Sequence, residues 1–87
     1  MALVKINPLA ARVRWDRAAD RPRQIRLADH RELAVTSLKA VRDELAAYPA
    51  GRGPRVTYLL ETERGEASLV YDARRRCWYL EAIDEAA

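Results

Sequence analysis

The sequence predicts an α+β domain: a small, largely antiparallel sheet of five or six strands with one helix packed against it. Three observations predict it. Between Arg55 and Ile83, three short segments alternate apolar and polar residues and are separated by turn-like stretches. Residues 10–15 alternate in the same way, with Ala11, Val13 and Trp15 on one face and Arg12 and Arg14 on the other, the period-two pattern of a half-buried strand. From Thr36 the apolar residues fall instead at Leu38, Val41, Leu45 and Tyr48, a spacing of three, four and three that describes one face of a helix.

Taken in order, residues 1–9 form an extended lead-in, with Pro8 barring a helix there. After the strand at 10–15, Asp16 to Pro22 is polar and turn-like. Arg23–Ala28 pairs back as a second strand with Ile25 and Leu27 toward the core, and Asp29-His30-Arg31 makes a tight turn. Glu32 to about residue 35 completes the hairpin. The helix follows, with Thr36 or Ser37 as N-cap and an Ala-rich tail, until Pro49, Gly51, Gly53 and Pro54 stop it. Arg55–Thr62, Ala67–Asp72 and Cys77–Ile83 are the last three strands. Gly65 supplies a left-handed residue to the first intervening turn, and Asp72 accepts backbone hydrogen bonds in the second. Whether the sheet stays open or curls into a barrel is not decided by the pattern.

At 87 residues the chain makes one domain, with an ordered core over about residues 10–83. Apolar residues at 49 % and charged residues at 33 % suit a folded domain rather than a disordered chain. No apolar run reaches the ~20 residues of a membrane helix, and the N-terminus is too quickly interrupted to act as a secretory signal, so a cytoplasmic location is expected. The single cysteine, Cys77, cannot form an internal disulfide, and it sits where a small buried side chain is expected. His30 is far from it in sequence, and no metal-ligand spacing is present.

The charge is uneven. Residues 1–31 carry eight Lys/Arg against three Asp, a net of +5, whereas residues 32–87 carry eight against ten Asp/Glu, a net of −2. Such a basic segment is the footprint of a protein that meets phosphates or an acidic partner. The excess of fourteen Arg over two Lys is also what a GC-rich genome produces without any ligand.

The order of elements resembles a family of small bacterial domains of uncharacterised function. The resemblance runs from about residue 10 to 83. It rests on Val13-Arg14-Trp15, the basic hairpin Arg23 to Leu33, Arg55-Val-Thr-Tyr58, Gly65, Leu69-Val-Tyr-Asp72 and Trp78-Tyr-Leu80. The family shows an aromatic-rich middle, where this chain has the Ala-rich Leu38 to Tyr48. Its domains occur alone or beside inactive Y-family-type proteins of translesion DNA synthesis, so the resemblance implies an accessory role near DNA repair. It carries over no catalytic residue.

Enzymatic constellations are weak. Ala50-Gly-Arg-Gly-Pro54 lacks the Lys-Ser/Thr of a phosphate-binding loop, and a toxin-type ribonuclease has to be assembled from Arg55, Tyr58, Arg64, Tyr71 and His30, whose spacing does not demand it. Nucleic-acid binding is better motivated, because small antiparallel sheets and barrels hold single strands in basic, aromatic grooves. The reading that follows is a non-enzymatic accessory or adaptor module that binds nucleic acid or an acidic protein partner through arginines, without cofactor or metal. Its candidate residues are Arg12, Arg14, Arg23 and Arg26 on the first hairpin, Arg74, Arg75 and Arg76 on the last turn, and Tyr79 as a base-stacking residue, with Tyr58, Tyr71 and Trp78 assigned to the core. A small nuclease and a protein self-associating through a sheet edge are the alternatives.

Overall fold

The computed structural model describes residues 3–84, and among them there is no helix. Six strands follow one another in the chain: β1 (Leu3–Asp16), β2 (Arg21–Leu27), β3 (Glu32–Glu44), β4 (Arg55–Thr62), β5 (Gly65–Asp72) and β6 (Cys77–Asp84). Each pairs antiparallel with the next, and β1 pairs with β6, closing the sheet into a barrel. The fold is therefore all-β. The expected antiparallel sheet is present in its closed form, and the expected helix is absent.

The segment read as a helix is the far half of β3. Two register shifts, between Val35 and Ser37 and between Leu38 and Ala40, each insert one residue against β4. The residues that share a face with inward-pointing β4 partners are consequently Val35 (opposite Thr62), Leu38 (opposite Leu60) and Val41 (opposite Tyr58). Two bulges stretch a period of two into a spacing of three, which on the sequence mimics a helical face. Leu45 and Tyr48, which extended the helical pattern, lie in the β3–β4 loop with their side chains exposed. Thr36 caps nothing; its hydroxyl donates to the Glu61 carbonyl at 3.2 Å. Lys39, displaced by the second bulge, reaches Glu66 and stands 3.8 Å from Glu61.

β1 begins at Leu3 rather than at residue 10, and Leu3–Lys5 pair with Asp84, Ile83 and Ala82. Pro8 falls in the irregular stretch between Lys5 and Leu9, where a missing N–H removes no ladder bond.

Closure requires stagger. Ala11 faces Leu27 on one side and Trp78 on the other. Followed through Trp78, Tyr71 and Val56, the row reaches β3 at Asp43; followed through Leu27, it arrives beside Glu32. The two routes meet β3 at opposite ends. The short strand β2 spans this offset, and it pairs with β3 only over Gln24–Arg26. Beyond Ala34, β3 pairs with β4 alone, so its β2-facing edge is unpaired from Val35 to Glu44.

The interior is filled by side chains. Ile25, Leu27, Leu33, Val35, Leu60, Ala67, Leu69 and Leu80 form one buried cluster contributed by five of the strands, with Val13 and Leu38 packed against it. Truncating a buried leucine of this kind costs about 2–5 kcal/mol. Two hairpin turns use the same device. Asp16 Oδ1 accepts from the N–H groups of Ala18 and Ala19, and Asp20 closes that turn at φ 54°. Asp72 Oδ1 accepts from Arg74 and Arg75, and Arg76 closes that one at φ 55°. The role expected of Asp72 is thus observed.

Gly65, expected in a left-handed turn, has φ 102° and opens β5; a Cβ there would fall 2.6 Å from Asp84 Oδ2. Gly65→Ala combines backbone strain with a clash against a buried side chain, and it is expected to cost about 2 kcal/mol or more. A urea melt of that variant measures the loss, and a midpoint equal to wild type is the contrary result.

Candidate nucleic-acid interface

Alternation on the β1–β2 hairpin decides what faces outward. Ala11 opposite Leu27 and Val13 opposite Ile25 point into the barrel, so Arg12 opposite Arg26 and Arg14 opposite Gln24 point out. Arg23 is the extra residue of a register shift, since Trp15 pairs with Pro22 and Arg14 with Gln24, and it is exposed. The structure therefore brings Arg12, Arg14 and Arg26 onto one face, with Arg23 at its upper margin. Among the described residues one carboxylate serves this face. Glu32 Oε1 stands 3.9 Å from Arg26 Nε and accepts from Gln24 Nε2 at 3.2 Å. Two shallow hollows, sharing Arg12 and Arg26, line the stripe.

Arg74, Arg75 and Arg76 occupy the β5–β6 turn, at the same end of the barrel as the β1–β2 turn with Arg17. Among the described residues only Arg75 of these three is held by an acid, Asp72, at 3.9 Å, and its side chain remains mostly exposed. Cys77 follows, exposed on the outer face rather than buried as expected.

Tyr79 stands on the strand neighbouring β1. It lies between Ala10 and Val70 on the outer face of β6, and its hydroxyl accepts from Arg55 Nη1 at 3.4 Å across β5. Val70, opposite Tyr79 on the same outer face, is fully buried. The cations near it are committed: Glu44 Oε1 stands 3.6 Å from both Arg52 Nη2 and Arg55 Nε. The Tyr79 hydroxyl is thus engaged by Arg55, and the ring stands on the outer face one strand over from Arg12.

The residues of a hypothetical nuclease do not converge. His30 and Arg64 sit in the β2–β3 and β4–β5 turns at one end of the barrel, whereas Tyr58 and Tyr71 are in an aromatic cluster near the other. His30, at φ 71°, occupies a turn as expected. Among the described residues no group of three or more His, Cys, Asp or Glu is placed to hold a metal ion. No helix of the described residues is long and apolar enough to cross a membrane.

The aromatic cluster is the feature that alternation alone does not reveal, because its members come from four strands. Trp15 and Tyr58 meet edge to face at 6.0 Å, Tyr58 and Trp78 are 5.6 Å apart, Trp15 and Trp78 6.3 Å, and Tyr71 and Trp78 4.9 Å. Tyr58 and Trp78 pack against the core, as expected, but neither is fully buried, and Trp15 is 37 % exposed. The signal in the sequence was positional: each ring stands near the same end of its strand. Burial first, then the nearby carboxylates of Asp20 and Asp43, push the Tyr58 hydroxyl above the ordinary phenol range. No protein-family model, no curated protein and no solved structure matches this chain.

Ultraviolet titration should find a tyrosine component ionising above the ordinary phenol range, and Tyr58→Phe should remove it. The unfolded chain releases this proton first, so stability falls as pH rises through the ordinary phenol range toward the higher folded value. Trp78→Ala, which strips the ring that contacts the other three, is expected to cost about 3 kcal/mol by thermal or urea melting. A loss within error of zero would remove Trp78 from the packing scheme.

Proposed function

We propose that the protein is a non-enzymatic accessory module that binds nucleic acid through the arginine-rich outer face of the β1–β2 hairpin and the adjoining β5–β6 turn. The observation that carries this reading is how the charges are partnered. Among the described residues, Arg12, Arg14, Arg17, Arg21 and Arg23 have no carboxylate within ion-pair distance, whereas Lys39, Arg52 and Arg55 each face one. A partnered arginine must exchange one anion for another to take up a phosphate. An unpartnered one loses only water, and it gains a charge-assisted, often bidentate contact.

The strand geometry favours a linear polyanion over a folded acidic surface. Arg12 and Arg14, two residues apart on one strand, are spaced by about 6.6 Å, and Arg26 lies on the next strand about 4.8 Å away. Arg12 and Arg14 thus follow one strand, with Arg26 beside Arg12 on the next. The accessory role near DNA repair implied by the sequence resemblance belongs to the same proposal, since such a role calls for a binding surface and no chemistry.

A second reading rests on a different observation. The unpaired edge of β3 from Val35 to Glu44 can accept a strand from another copy of the chain. Light scattering on the purified protein distinguishes the two, because a monomer leaves that edge free.

The test of the first reading is a combined Arg12→Glu, Arg14→Glu, Arg23→Glu, Arg26→Glu variant, titrated against a fluorescent oligonucleotide at several salt concentrations. Wild type should bind with a steep salt dependence. The variant should bind at least tenfold more weakly, with its log–log salt slope reduced by about three or four. Unchanged affinity in a folded variant would discard the arginine face as the interface.

A further inference from the structure

The arginine face says nothing about whether the nucleic acid is double- or single-stranded, but the adjacent end of the barrel does. Because β2 leaves β3 after the Gln24–Ala34 pair, residues that point inward there are not covered. Val41, placed inward by its pairing with Tyr58, is 49 % exposed, and Trp15, placed inward opposite Pro22, is 37 % exposed. Tyr58 and Trp78 lie behind them at ring distances of about 6 Å. The barrel thus ends in an aromatic cleft open to solvent, where a closed core would have buried these rings.

Charges of both signs border the cleft. Arg17 and Arg21 flank the β1–β2 turn beside Trp15, and neither has an ion-pair partner among the described residues. Asp20, in that same turn, and Asp43, on β3, are exposed carboxylates that act on the Tyr58 hydroxyl. Acids beside the rings repel a phosphate, and arginines on the rim attract it. A ligand that satisfies both presents a flat, uncharged, amine-bearing ring inward and its anionic backbone outward. Carboxylates accept hydrogen bonds from exocyclic amines of bases, and aromatic rings stack on any base.

We infer that this cleft takes unpaired bases of a single-stranded nucleic acid, stacked against Trp15, while Arg17, Arg21 and the β1–β2 face hold its phosphates. The inference rests on the nucleic-acid reading above and specifies it. A duplex keeps its bases paired and stacked, so it can use only the arginines. Since a duplex also carries the denser charge, an interface made of arginines alone would favour it over a single strand. A preference for the single strand therefore has to come from the rings.

The experiment compares a single-stranded oligonucleotide with the duplex of the same length, at one salt concentration, by anisotropy and by tryptophan fluorescence, with wild type and Trp15→Leu. Leucine keeps an apolar side chain against Tyr58 and Trp78 but removes the stacking surface; circular dichroism and a thermal melt establish that the variant folds. The single strand is expected to bind wild type more tightly than the duplex and to quench its tryptophan emission. Trp15→Leu is expected to lose about tenfold on the single strand, with duplex affinity unchanged and most of the quench gone. A control on the opposite lip, Val41→Ala, perturbs the cleft without removing a ring or a cation and should give a smaller loss, also confined to the single strand. Equal binding of the two oligonucleotides, or a Trp15→Leu loss of the same size on both, overturns the base-stacking cleft and leaves the arginine face standing. Failure of wild type to bind either one overturns both readings.

Discussion

The three residue pairs that join β2 to β3 hold the barrel shut, and much of the remaining structure follows from how narrow that junction is. A closed sheet of six strands must be staggered, and here the stagger is taken up by one short strand flanked by two long ones. The bulges in β3 let it curve away from β2 while keeping Val35, Leu38 and Val41 aligned with the β4 residues behind them. Where β3 curves away, the interior is open, and the rings that finish the core become the floor of a cleft. A longer β2 would extend the core over these rings and close the cleft.

The barrel also converts a sequence asymmetry into a spatial one. The basic first third of the chain is not dispersed over the surface, because β1 and β2 are neighbours and both turn their arginines outward. Acidic residues of the later strands are engaged by their own cations: Glu44 by Arg52 and Arg55, Glu61 and Glu66 by Lys39. The Lys39 pairs are exposed and add little to stability, whereas the Glu44–Arg55 pair is largely buried. Their effect is to leave one face neutralised and the other not.

Much of this was legible in the residues. The three C-terminal strands, the β1–β2 hairpin, the left-handed Gly65 and the backbone-binding Asp72 all follow from alternation and turn chemistry acting locally. The helix was misread because bulges are properties of a strand pair: nothing within residues 36–44 indicates that Thr36 and Lys39 have no partner on β4. Alternation from Trp78 puts Tyr79 on the outer face, but the Arg55 that engages it is set by the register of a strand two places away in the barrel. Cys77, expected to be buried, faces out because it alternates with the inward-pointing Trp78 that follows it. The aromatic cleft needed strand order, stagger and closure together, and those come from the whole sheet.

The pairing of Leu3 with Asp84 has a consequence for how the molecule assembles. Every other strand contact is a hairpin, formed between neighbours in the chain at small entropic cost. Joining β1 to β6 closes a loop of nearly the whole chain, and it recovers that entropy only once the intervening strands are in place. The meander can therefore zip up hairpin by hairpin, with the seam between first and last strand as its late and slow event. Until the seam forms, both end strands present bare edges, and this is the interval in which a crowded solution endangers the chain most.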